Sequence, residues 1–187
     1  TIFTDFIDFE TNNGQYFSID SSQTFNIWQI GKPQKTFLNS SYSSPNGIIT
    51  DTLNDYPVNN ISSFQIQVHP SAGNCWGMGM MYFYHKYDFE QKKDGGYIEV
   101  KYDYDTTWTN IIFDTDPQVG TYASNMYTSK DTIKGHIPAF TGTSNGWVRS
   151  EFNWRWQIGV KKPFHDFLSI RFTMKSDSNN TNQEGWL

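Results

Sequence analysis

The chain of 187 residues contains a single cysteine, Cys75, so no disulfide can form within it. That leaves the compartment open, since many exported bacterial proteins have no disulfides. No run of apolar residues approaches the roughly 18 that a membrane-spanning helix needs, so membrane insertion is not expected. A 3.6-residue period is missing too, and Gly, Pro, Asn and β-forming residues are spread throughout. Positive charge is scarce: 14 Lys and Arg stand against 19 Asp and Glu, a net charge of −5. A nucleic-acid backbone is therefore not an expected partner.

Specific catalytic motifs are lacking as well. His69, His85, His136 and His165 show no H-x-x-x-H spacing. Gly73-Asn74-Cys75-Trp76-Gly77 fits G-x-C-x-G, but a nucleophile elbow needs a strand-to-helix turn, and a strand pattern follows here. Cys75 is expected to be a small buried hydrophobe. His85 falls on an inward face and reads as a core histidine with backbone or hydroxyl partners.

Aromatic residues are abundant, with seven Trp, eleven Tyr and fifteen Phe. A β-sandwich core absorbs many such rings, and exposed rings are what a sugar-binding surface uses. Around eight short strands with turn signals between them predict an all-β fold, an antiparallel β-sandwich of jelly-roll type. Strands are expected over Thr1–Glu10, Phe25–Ile30, Gly47–Thr50, Ser62–Val68, Ile111–Phe113, Trp147–Trp156 and Phe167–Lys175. Residues 114–146 read as a long, weakly patterned insertion in a single domain spanning 1–187.

The stretch from Met80 to Tyr102 reads as a β-hairpin that closes on Asp94-Gly95-Gly96. Alternation puts Met81, Phe83, His85 and Tyr87 on one face and Tyr82 and Tyr84 on the other. On the return, Ile98, Val100 and Tyr102 alternate with Tyr97, Glu99 and Lys101. One register sets Tyr87 against Ile98, His85 against Val100 and Phe83 against Tyr102. It leaves Tyr82, Tyr84 and Tyr97 on a wet face with Trp108 at its edge. Those four are the candidate glycan-binding residues, unless the 114–146 insertion covers them.

Several stretches resemble a known family. Trp28-Gln-Ile-Gly31-Lys-Pro33, Phe37-Leu-Asn39-Ser-Ser-Tyr42-Ser43 and Asn54-Asp55-Tyr56-Pro57 are similar to the motif run of bacterial MAM-like jelly-roll modules. So are Asp94-Gly95-Gly96-Tyr97-Ile98-Glu99, Gly146-Trp147-Val148 and the closing Ser176-Asp177-Ser178 with Glu184-Gly185-Trp186. The resemblance implies a module of a large secreted or cell-surface protein, usually non-catalytic and serving adhesion or glycan contact. Tyr102 to Trp108 departs from the family's usual Gly-rich turn, with Asp105 where Gly is normal. The chain stops at Leu187, where the family's final strand should begin, so a fragment of a longer protein is expected, and Thr1 without a Met reads as a trimmed or recombinant start.

Carboxylates supply the candidate cation site. Asp8, Glu10 and Asn12 lie together at the end of the first expected strand, and Asp51 closes another. Jelly rolls often bind a structural Ca²⁺ where such oxygens meet backbone carbonyls. The resemblance also implies a cation near a Phe-Glu start, which Phe9-Glu10 matches. Asp177, Asn179 and Glu184 form a second candidate group.

Three functional readings follow. The first is a non-catalytic secreted or surface-attached module that contacts a glycan or a surface protein, as a monomer or within a multidomain chain, with a structural calcium ion. The second is a sandwich-class glycosidase or lyase, which needs two carboxylates on one concave face about 5–9 Å apart. Glu99 and Glu151 are the pair to test. The third is a structural spacer.

Overall fold

The computed structural model describes residues 6–10, 17–23, 25–43, 45–68, 76–114, 119–157, 167–179 and 182–187. Among them run fourteen strands. In chain order the first seven are β1 (Phe17–Ile19), β2 (Trp28–Gly31), β3 (Gly47–Thr50), β4 (Ile61–Val68), β5 (Trp76–His85), β6 (Tyr87–Asp88) and β7 (Gly95–Tyr102). There follow β8 (Thr109–Asn110), β9 (Val119–Ser124), β10 (Thr132–Ile133), β11 (Ile137–Pro138), β12 (Val148–Gln157), β13 (Leu168–Lys175) and β14 (Gly185–Trp186). The protein is all-β, and its strands pair antiparallel throughout the described sheets.

A five-stranded sheet has the order β1-β4-β13-β7-β8, and a three-stranded sheet the order β5-β12-β9. Two-stranded pairs β2-β3, β6-β14 and β10-β11 complete the pairing. β13 is central to the larger sheet. Its Leu168, Ile170, Phe172 and Met174 alternate as the sequence pattern requires, and all four are buried. Phe172 stacks on Phe64 of β4 at 4.8 Å and meets Phe83 of β5 edge-on at 5.2 Å. The inner faces of the two larger sheets therefore touch through aromatic side chains. Burying each such side chain contributes roughly 1.5–3 kcal/mol.

Trp186 of β14 is the hub of this core. Its ring lies 5.7–6.0 Å from Trp28, His85, Phe140 and Phe172. Trp186 Nε1 donates to His85 Nδ1 at 3.0 Å, so the buried indole has its polar partner. Glu184, just before β14, is held equally well. Its carboxylate accepts from the backbone N–H groups of Thr36, Phe37 and Leu38. Lys35 Nζ donates to the Thr50 and Glu184 carbonyls, and burial lowers its pKa to about 8.

The expected hairpin does not form. β5 pairs with β12, setting His85 opposite Val148 and Phe83 opposite Ser150, while β7 pairs with β13 and β8. The faces are those the sequence predicts, because alternation is local: Ile98, Val100, Tyr102 and His85 are buried, and Tyr82 is exposed. The partners differ, because Asp94-Gly95-Gly96 is no hairpin turn. Neither glycine has a positive φ. A Cβ on Gly95 would lie 2.3 Å from the Phe140 carbonyl oxygen, and one on Gly96 would lie 2.2 Å from the Trp186 ring. The glycines are there so that backbone and indole can approach, and the chain passes into the other sheet.

Other boundaries differ too. Residues 6–10 form no strand; Phe6 is exposed, and Phe9 takes a φ of 62° and packs edge-on against Phe17. The rest of the expected first strand lies outside the described residues. Phe25 is exposed ahead of β2. Ile111–Phe113 is a 3₁₀ turn capped by the Asn110 side chain, not a strand. Residues 114–146, expected as a weakly patterned insertion, supply β9, β10 and β11 and two buried core rings, Tyr127 and Phe140. The Tyr127 hydroxyl accepts from Ile98 N–H at 2.9 Å and bonds to the Ile98 carbonyl at 3.1 Å. It thereby satisfies the edge of β7 where β8 stops, as an unpaired sheet edge demands.

Candidate binding surface and cation site

The four candidate glycan residues divide between two sheets. Tyr97 lies on β7, and Trp108 immediately precedes β8. Burial and the neighbouring Glu99 raise the Tyr97 pKa to about 12. Trp108 is covered by cations: the Arg171 guanidinium lies 4.2 Å and Lys101 Nζ 5.4 Å from its ring centre. Arg171 is in turn paired with Glu99 at 2.8 Å, and Thr173 donates to the same carboxylate oxygen.

Tyr82 and Tyr84 lie on the outward face of β5, where their rings meet at 6.4 Å and nearly at right angles. Two rings that the sequence reading left out join them. Tyr42, on the loop before β3, stacks flat on Tyr84 with centres 3.6 Å apart and planes 5° apart. Trp147, just ahead of β12, meets Tyr42 edge-on at 5.4 Å. The Arg149 guanidinium covers one side of Tyr82 at 4.6 Å and is ion-paired with Glu151. The adjoining Tyr84 side chain raises the Tyr42 pKa. Tyr42 is 55 % exposed and Tyr82 46 %, so this cluster of four rings faces solvent. No local sequence signal joins Tyr42 to Tyr84, because the contact is made between a loop and a strand of another sheet.

Glu99 and Glu151 lie in different sheets, on β7 and β12. Each is held by an arginine of the neighbouring or the same strand, Arg171 for Glu99 and Arg149 for Glu151.

The described carboxylates of the first candidate cation group, Asp8, Glu10 and Asp51, each accept hydrogen bonds from backbone N–H groups. The Asp8 carboxylate accepts from the Glu10 N–H, and the Glu10 carboxylate accepts from the backbone and side chain of Asn46. Asp51 accepts from the N–H groups of Leu53 and Asn54; burial works the other way, but these bonds hold its pKa below the usual carboxylate range. Asn12 lies outside the described residues. In the second group Glu184 is committed to residues 36–38, as above, while Asp177 lies elsewhere.

Among the described residues, the acidic side chains that converge are Glu90, Asp94 and Asp177, with ligand oxygens all within 4.8 Å of one another. Glu90 and Asp94 bracket the turn before β7, and Asp177 follows β13. Asp94 is fully buried. Its carboxylate accepts from Asp177 N–H at 2.7 Å and from the Tyr56 hydroxyl at 2.9 Å. Burial raises the Asp94 pKa, and the negative charges of Asp177 and Glu90 add to the rise. Asp177 accepts from Asn179 N–H, and Lys134 sits 3.3 Å from it; both lower its pKa. Glu90 Oε2 is buried with no hydrogen-bond partner. A buried carboxylate oxygen without a donor, beside two more carboxylates, fits a hard cation, which takes oxygen ligands and supplies the missing charge. The triad can thus coordinate a divalent cation. Sequence reasoning found Asp177 alone of the three, because Glu90 and Asp94 fall inside the stretch expected to turn a hairpin.

No model of a known protein family matches the chain, and no curated protein matches it. Among the described residues no helix is long and apolar enough to cross a membrane, which says nothing of a β-barrel.

Proposed function

We propose that this chain is a non-catalytic binding module, a β-sandwich of jelly-roll type, that holds a glycan against the ring cluster outside β5. One observation carries the reading: Tyr42, Tyr82, Tyr84 and Trp147 gather on one solvent-facing surface with two of the rings about half exposed. Aromatic rings left in water cost hydrophobic free energy, and a contiguous exposed patch of them marks an interaction site. The apolar faces of pyranose rings match such rings in shape, and the Arg149–Glu151 pair beside Tyr82 supplies donors and acceptors for hydroxyl groups. The sandwich assignment draws on the contact of Phe83 with Phe172 between the two larger sheets. A place in a secreted or cell-surface protein, and membership of the MAM-like family, rest on the residue-level resemblance.

The same proposal gives the Glu90–Asp94–Asp177 triad a structural Ca²⁺. The ion would tie the turn before β7 to the segment after β13, two parts of the chain 83 residues apart in the Asp94–Asp177 bond. Ca²⁺ takes six to eight oxygens, so carbonyls and water complete the shell.

Isothermal titration with cellohexaose, laminarihexaose and chitohexaose tests the binding surface. At least one hexasaccharide is expected to bind, and Tyr84→Ala is expected to weaken it by roughly tenfold or more, as loss of a central aromatic anchor does. A measurable affinity that Tyr84→Ala leaves unchanged, in a variant with the wild-type melting curve, would refute the assignment.

A further inference from the structure

We infer that Tyr42 is a built-in occupant of the ring slot over Tyr84, which a sugar ring enters by displacing it. The inference rests on the glycan reading above and deepens it, since it says which ring is platform and which is cap. Tyr84 lies within the paired length of β5, one residue before its end, opposite Arg149 of β12, and its position is set by the sheet. Tyr42 sits outside any strand, between β2 and β3, and is the most exposed ring of the cluster. At 3.6 Å between centres and 5° between planes, the two rings overlap almost completely, at the contact distance of their carbon atoms. A face-to-face sandwich is the arrangement that ring quadrupoles favour least; offset and edge-on pairs are preferred. Tyr42 therefore covers Tyr84 in a geometry that is easily traded for another flat partner. The edge-on contact with Trp147 and the stacking on Tyr84 hold the ring in place without burying it.

A pyranose presents a flat C–H face that is electropositive at its hydrogens, which suits the negative face of a tyrosine better than a second tyrosine face does. The slot is thus matched to an equatorially substituted hexose, as in β-linked glucans or chitin fragments. Binding there requires the Tyr42 loop to swing away, and the ligand affinity carries the cost of releasing the cap.

The test uses the same three hexasaccharides on three proteins: wild type, Tyr42→Ala and Tyr84→Ala. Calorimetry gives the affinity, and Trp fluorescence, from a set that includes Trp147 beside Tyr42, reports the movement of the cap. Tyr42→Ala is expected to bind about two- to tenfold more tightly than wild type, the fold-change that corresponds to releasing one aromatic pair. Tyr84→Ala is expected to lose binding. Binding that is equal or weaker in Tyr42→Ala, with Tyr84→Ala still defective, overturns the cap and leaves the glycan surface standing, with Tyr42 as one of its contacts. Failure of all three proteins to bind any hexasaccharide overturns both. Tyr42 is an exposed loop residue, so its replacement leaves the fold intact, and superimposable melting curves verify this.

Discussion

Acid should unfold this protein through His85, and the size of the effect follows from its two partners. Trp186 Nε1 can only donate, so His85 Nδ1 must be the unprotonated nitrogen that accepts from it. The proton then sits on Nε2, which donates to Ser150 Oγ at 2.8 Å, while Ser150 donates to the Asn125 carbonyl. A second proton on Nδ1 would face the indole N–H, donor against donor, in a site closed to water. Burial accordingly lowers the His85 pKa from 6.5 to about 3. Because the folded-state pKa lies below the unfolded one, the unfolded chain takes up the proton first. The stabilisation is complete above pH 6.5 and is lost as pH falls from there towards 3. At pH 4 the loss is about 3 kcal/mol, a large share of a typical domain stability of roughly 5–15 kcal/mol.

Urea titrations followed by Trp fluorescence at pH 7, 5.5 and 4 measure this, with His85→Asn as the comparison. Asparagine places a carbonyl oxygen near the Nδ1 position and does not titrate. The variant is expected to be less stable at pH 7 through lost ring packing, but to lose less on acidification. Asp94, whose raised pKa favours the folded state as pH falls, is common to both proteins. So are Asp51 and Asp177, whose lowered pKa values work the other way, so all three drop out of the difference. Parallel loss of stability in wild type and variant between pH 7 and 4 would refute the argument.

Gly96→Ala is expected to destabilise the protein by about 1–3 kcal/mol or more, because its Cβ would meet the fully packed Trp186 ring and neither side can yield without opening the core; thermal or urea unfolding checks it. After removal of bound metal with EDTA, saturating Ca²⁺ is expected to raise the melting temperature, by the equivalent of about 2.7 kcal/mol at one hundred times the dissociation constant. Asp177→Asn is expected to abolish most of that rise. A melting temperature that ignores Ca²⁺ in the wild type would remove the cation from the triad.

Which residues point inward was legible in the sequence. The alternation of Leu168, Ile170, Phe172 and Met174, of Phe83 and His85, and of Ile98, Val100 and Tyr102 identified core faces that the structure bears out. So did the all-β composition and strands such as Gly47–Thr50. The reason is that side-chain alternation is a property of a single extended strand and needs no partner. Strand pairing is not local. β5 and β7 look like a hairpin from their order and from the two glycines between them. Whether those glycines turn the chain or admit a neighbour depended on Trp186 and Phe140, which lie 90 and 44 residues beyond Gly96. The site residues divide in the same way. That rings and carboxylates were plentiful could be counted. That Tyr42 would lie on Tyr84, and that Glu90, Asp94 and Asp177 would converge on one buried point, was decided only when segments without mutual sequence signatures packed against the same core.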